Sequence, residues 1–141
     1  MEGARRLYEE ALACRRVAGD PQGKADTLGA MGAIAHLAGA LSVARRLYDE
    51  SLDLYLSVGY PYGIAVTLNN LGELAEAEGD LPGAIALFAR AEERFRDLGA
   101  TLRAVPSGHL KRLEESLGPD RWSQLRAEAE ARPWQERIGS A

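Results

Sequence analysis

The sequence predicts an all-α protein built as an α-solenoid, in which antiparallel helix pairs stack on one another. Glycine recurs at a nearly constant interval of 20 residues, at positions 19, 39, 59, 79 and 99, and again at 118. The sequence itself repeats at twice that interval: ARRLYEEAL at 4–12 returns as ARRLYDESL at 44–52, and GDPQGKADTLGAMGAIA at 19–35 returns as GYPYGIAVTLNNLGELA at 59–75. Because one helix pair cannot bury its own apolar stripes, a repeated pair favours a stack that completes the core.

The individual elements follow from the pattern between the glycines. Apolar residues recur there at three- and four-residue steps, as in amphipathic helices. Each glycine lies where a helix should end, because glycine adopts the left-handed backbone conformation easily. Pro21, Pro61 and Pro82 follow where the next helix begins. We expect one domain over 1–141 with about seven helices: the second helix of an incomplete repeat at 4–18, repeats at 21–58 and 61–98, divergent capping helices within 101–132, and a tail at 133–141.

Composition and charge narrow the classes of function. The chain has 141 residues, of which 46% are hydrophobic and 27% charged, which is typical of a globular domain. Its 17 basic and 21 acidic residues give a net charge of −4 without a massed basic patch, so we expect no nucleic-acid binding by this domain. A single cysteine, Cys14, and an N-terminus without an unbroken apolar core indicate a cytoplasmic protein.

The uncharged stretch TLGAMGAIAHLAGALSVA at 27–44 is not expected to enter a membrane. Gly39 divides it between two helices, and its copy at 67–84 carries four acidic residues. We also predict no catalytic, cofactor or metal site, since the sequence has no phosphate-binding loop, nucleophile elbow or histidine pair at ligand spacing. Glu73, Glu76 and Asp80 are interpreted as a solvated acidic face.

The run LNNLGELAEAEGDLPGAIALFARA at 68–91 resembles the tetratricopeptide repeat (TPR). The matching positions are Leu68, Leu71, Gly72, Ala75, Gly79, Asp80, Ala84, Phe88 and Ala91. The preceding unit matches at Leu28, Met31, Gly32, Ala35, Gly39, Ala44 and Tyr48, with Ser51 replacing the last alanine. The 40-residue period exceeds the family's usual period of about 34 and is similar to TPR-like C-terminal regions of bacterial signalling ATPases and LuxR-type transcriptional regulators. In this interpretation Gly32 and Gly72 let paired helices approach, while Tyr48 and Phe88 fill the gap between successive pairs.

The resemblance implies a non-enzymatic protein-interaction module or scaffold in signal transduction. It assigns partner binding to a concave groove lined by the first helix of each pair, at Asp26, Gly29, Ala30, Ala33, His36, Val66, Asn69, Asn70, Glu73 and Glu76. One half of such a groove is small and apolar, and the other is amide-rich and acidic. It would suit an extended peptide or a helix with an apolar stretch beside a basic one. Two alternatives stay open: an unoccupied groove whose small residues only permit close packing, and a regulatory domain that senses a small molecule held between repeats.

The first helix lacks a preceding partner helix, which predicts an open end. Its uncovered apolar side comprises Leu7, Tyr8, Ala11 and Leu12. Monomers seldom leave such a patch exposed, so we expect self-association there, most simply as a two-fold homodimer.

Overall fold

The computed structural model describes residues 5–6, 20–99 and 104–132, and the regular structure in these ranges is helical throughout. Arg5 and Arg6 are helical, and six long helices follow. Their bounds are α1 Pro21–Leu37, α2 Leu41–Val58, α3 Pro61–Ala77, α4 Leu81–Asp97, α5 Ala104–Leu117 and α6 Pro119–Glu130. The all-α prediction is confirmed for this part of the chain.

The helix boundaries have the local causes that the sequence suggested. Positive φ angles between 66° and 82° occur at the five turn glycines within the described residues, Gly39, Gly59, Gly79, Gly99 and Gly118. At two helix starts an aspartate accepts a hydrogen bond from a backbone amide of the first turn: Asp20 from Gly23 at 2.9 Å and Asp80 from Gly83 at 3.1 Å. These carboxylates satisfy amides that have no partner inside the helix.

Consecutive helices form pairs, with α1 packed on α2 and α3 packed on α4, while α2 also contacts α3. In each pair an aromatic ring lies directly on a glycine of the facing helix. A Cβ atom added to Gly32 would lie 2.7 Å from Tyr48 Cδ1, and one added to Gly72 would lie 2.6 Å from Phe88 Cδ1. These contacts agree with the expectation that Gly32 and Gly72 let paired helices approach. The expectation that Tyr48 and Phe88 fill the gap between successive pairs is incomplete, because each ring also lies on the glycine of its own pair.

The core follows the 40-residue repeat. Ala44 and Ala84 occupy equivalent positions in α2 and α4, and both are completely buried. Ser51, which occupies a position where the repeat pattern has alanine, is also completely buried. Its hydroxyl donates a 2.8 Å hydrogen bond to the Ala25 carbonyl oxygen, so the substitution leaves no unsatisfied polar group in the core.

The last helix departs from the repeat. In a regular repeat α6 would run parallel to α4, and its last residues would lie near the end of α4. Instead Arg132, just beyond α6, bonds Asp80 at the start of α4. Helix α6 therefore crosses α4 in the opposite sense, burying Leu125 and Ala129 while the half-buried Trp122 packs against the core.

None of the described helices combines the length and the apolar character needed to cross a membrane.

Candidate functional site

The ten residues that the resemblance assigns to the groove lie on α1 and α3, and these two helices contact each other. Of those on α1, Asp26 and Ala33 are exposed, whereas Gly29, Ala30 and His36 are half-buried. On α3, Val66 and Asn70 are half-buried. We call Gly29, Ala30, Ala33, Val66 and Asn70 the small-residue face, because four of the five have short aliphatic side chains or none.

Asp26 is engaged by the second helix of its own pair. The Tyr55 hydroxyl on α2 donates a hydrogen bond to the Asp26 carboxylate. Burial, together with this bond to a negative charge, raises the pKa of the Tyr55 hydroxyl. Asp26 thus ties α1 to α2, in addition to any role toward a partner.

The acidic half of the predicted groove faces α5 of the same chain. Glu76 accepts two hydrogen bonds from the Arg112 guanidinium, at 2.9 and 2.7 Å. Glu73 Oε1 lies 3.3 Å from Nε2 of His109, whose ring stacks on Phe88 with centroids 4.5 Å apart. The Glu76 bond raises the pKa of Arg112. Two carboxylates expected to meet a partner are therefore already paired.

The remaining acidic residues of this copy are paired in the same way. Glu78 bonds Arg45 of α2, and Asp80 receives two bonds from Arg132, at 3.2 and 2.5 Å. These carboxylates stay partly exposed, as expected of a solvated face, and they also connect α3 and the turn after it to neighbouring elements. Within the described ranges no cluster of His, Cys, Asp or Glu could hold a metal ion.

Asn69 differs from its neighbour Asn70 by being buried. Only 7% of its surface is exposed, and its Oδ1 has no hydrogen-bond partner among the described residues. The resemblance grouped the two asparagines as partner contacts, but the structure leaves Asn70 as the accessible one.

Tyr48 is a second buried polar group beside α3. Burial and, to a smaller extent, the negative charge of Glu73 raise the pKa of its hydroxyl to about 12. The Tyr48 hydroxyl therefore keeps its proton at neutral pH. A neutral side chain agrees with the sequence prediction that Tyr48 is an aromatic packing residue.

A cleft of about 200 Å³ lies between α4 and α6. Sequence reasoning missed it, because α6 does not follow the repeat and its crossing of α4 has no signal in the pattern. Buried Ile85, Ala86 and Ala129 lie at its base, and charged side chains from both helices surround them.

No protein-family model matches the chain, and no curated protein matches it.

The predicted self-association residues, Leu7, Tyr8, Ala11 and Leu12, lie outside the described residues, as does Cys14. Self-association through them stays a prediction.

Asp80 has two roles that can be separated by mutation. It caps α4 and also receives Arg132, so Asp80→Ala should destabilise the chain by about 1–2 kcal/mol. Arg132→Met removes only the partly exposed ion pair and should cost about 1 kcal/mol or less. Urea unfolding followed by circular dichroism measures both. Equal losses in the two variants would contradict the capping role.

Proposed function

We propose that the chain is a non-enzymatic protein-interaction module, a TPR-like solenoid that holds a partner segment against the small-residue face. The observation that carries this proposal is the row of first helices. Helix α1 contacts α3, and α3 is joined to α5 through Glu73–His109 and Glu76–Arg112. Such a row supports a continuous surface formed by one helix of each pair, which is how helical repeats present binding surfaces.

The repeated packing supports the solenoid part of the proposal. Gly32 beneath Tyr48 and Gly72 beneath Phe88 show one contact reproduced 40 residues later. The stacking of His109 on Phe88 extends this contact to α5. Equivalent units that pack in sequence are a feature of helical-repeat solenoids, so this repetition supports the proposed arrangement.

The occupant is a segment with small or apolar side chains, either extended or helical. Ala30 and Ala33 offer a shallow surface without side chains that would hinder approach. The Asn70 amide carries both a donor and an acceptor for a partner's backbone. A basic stretch beside it would have to compete with His109 and Arg112 for Glu73 and Glu76, so it contributes less than the sequence suggested.

The resemblance supplies a biological setting for this module. In it the chain serves in the cytoplasm as the C-terminal part of a bacterial signalling protein or transcriptional regulator. The partner segment then belongs to another domain of that regulator or to a separate protein.

A library of random peptides displayed on phage tests the proposal with the full chain as bait. Selected peptides should bind Ala33→Arg at least about tenfold more weakly, a change of about 1.4 kcal/mol, because the long charged side chain covers the small-residue face. Ala127→Arg is the matched control, since Ala127 is likewise an exposed helical alanine, on α6. Failure to select any peptide, or equal binding by both variants, would overturn the proposal.

Small-molecule binding is the second candidate function. The observation that favours it is the cleft between α4 and α6, which belongs to a different part of the molecule from the small-residue face.

A further inference from the structure

The cleft between α4 and α6 has an apolar base of a defined size. Ile85, Ala86 and Ala129 are each at least nine-tenths buried, and their side chains form that base. The volume of about 200 Å³ is smaller than the 300–1,000 Å³ typical of sites for drug-sized ligands. A cleft below that range suits a ligand smaller than a drug-sized molecule, such as an amino acid.

Two positive and two negative side chains surround this base. Arg90 and Glu93 come from α4, and Arg126 and Glu130 come from α6. The Arg90 Nη1–Glu93 Oε2 distance is 3.6 Å, and the Arg126 Nε–Glu130 Oε1 distance is 3.8 Å. Both exceed hydrogen-bond length, so each pair attracts without forming a hydrogen bond.

Neither guanidinium group forms a hydrogen bond to another described residue, and each has a specific environment. Arg90 Nε is buried with no hydrogen-bond partner among the described residues, although 27% of the side chain is exposed. The Arg126 guanidinium lies over the Trp122 ring, 5.7 Å from its centroid, which favours this position through cation–π attraction. Arg90 and Arg126 thus keep donor capacity on the two sides of one cleft.

We propose that this cleft binds a free α-amino acid with an apolar side chain. The ligand carboxylate bonds the guanidinium groups of Arg90 and Arg126, its ammonium group lies between Glu93 and Glu130, and its side chain rests on the apolar base. A zwitterion matches a site with two charges of each sign, whereas a simple anion or cation would be repelled by two of them. Because partly exposed ion pairs contribute little stability, the ligand replaces them at low cost.

The same chemistry excludes a peptide end as the occupant. A peptide terminus carries only one of the two charged groups on its terminal residue, so it cannot satisfy both pairs. The inference is independent of partner binding at the small-residue face, since the cleft involves neither α1 nor α3.

Titration of the full chain with L-leucine, followed by amide NMR shifts, tests the inference. We expect saturable shifts concentrated in α4 and α6. Three compounds serve as matched controls: isocaproate lacks the ammonium group, isoamylamine lacks the carboxylate, and glycine lacks the side chain. Each should bind at least about tenfold more weakly than leucine. Absence of saturable shifts with leucine, or equal binding of isocaproate or isoamylamine, would overturn the proposal.

Variants at the rim add a second readout. Arg90→Met should weaken leucine binding at least about tenfold, whereas Arg96→Met, at an exposed arginine of the same helix, should leave it unchanged. If circular dichroism shows that Arg90→Met does not fold, leucine binding is measured with Glu130→Gln instead. The Glu130 side chain is 74% exposed, so its replacement disturbs no packing. Unchanged leucine affinity in a folded variant of either kind contradicts the site. Peptide selection on the small-residue face is scored separately, so the two proposals can fail independently.

Discussion

Replacing Phe88 by alanine is expected to destabilise the chain by about 3–5 kcal/mol, the usual cost of deleting a buried aromatic ring. Phe88 is completely buried and contacts two other helices. Its ring lies on Gly72 of α3 and stacks on His109 of α5. The mutation therefore leaves a cavity where three helices meet, which surrounding side chains cannot fill by small movements. Chemical denaturation followed by circular dichroism gives the free energy of unfolding.

Tyr62→Ala provides an aromatic control for Phe88→Ala. The Tyr62 side chain is 42% exposed, although its ring contacts Phe95 at a centroid distance of 6.2 Å. We expect a loss of about 1 kcal/mol, chiefly from this aromatic contact. If the two variants lost similar stability, Phe88 would not be the junction of α3, α4 and α5 that the structure indicates.

Substituting alanine for Gly72 is expected to lower the free energy of unfolding by up to about 2 kcal/mol, although alanine is the better helix former by about 1 kcal/mol. The new methyl group would lie 2.6 Å from both Cδ1 and Cε1 of Phe88. That ring is fixed in the core, so α3 and α4 must separate or Phe88 must leave its rotamer. Overpacking of this kind costs about 1–3 kcal/mol and outweighs the gain in helix propensity.

Gly108→Ala is the matched control, and its expected effect has the opposite sign. Gly108 also lies within a helix, α5, but among the described residues no atom outside its own stretch of helix backbone comes within 4 Å of the position that its Cβ would take. Only helix propensity changes there, so this variant should gain about 1 kcal/mol. A gain in stability for both variants would show that Gly72 and Phe88 lie farther apart than the structure indicates.

The helices and their ends could be predicted from the sequence because their causes are local. A glycine with positive φ, an aspartate that bonds an amide three residues ahead and a proline in the first turn each act within a few residues. The close contact of Gly72 with Phe88 was readable in part: two copies of one pattern marked the glycine as a point of close approach, but the ring was assigned to the gap between pairs. Repetition made one side of a nonlocal contact visible in the sequence.

The surface chemistry could not be read in the same way. Glu76 meets Arg112 at a separation of 36 residues, and Asp80 meets Arg132 at a separation of 52. Neither pair recurs in the other copy of the repeat, so no sequence pattern predicts either contact. The sequence therefore supplied the acidic residues of the candidate groove but not the fact that the chain's own arginines and a histidine lie against them.

The sequence by itself determined where the helices begin and end, because hydrogen bonds and turn conformations within a few residues control both ends. Only the tertiary structure decided that Asn69 is buried while Asn70 stays accessible, and that α6 crosses α4 to leave a charged cleft. The physical reason is that the burial of a polar side chain and the angle of a terminal helix depend on all the surfaces that meet there. Those surfaces come from residues far apart in the chain.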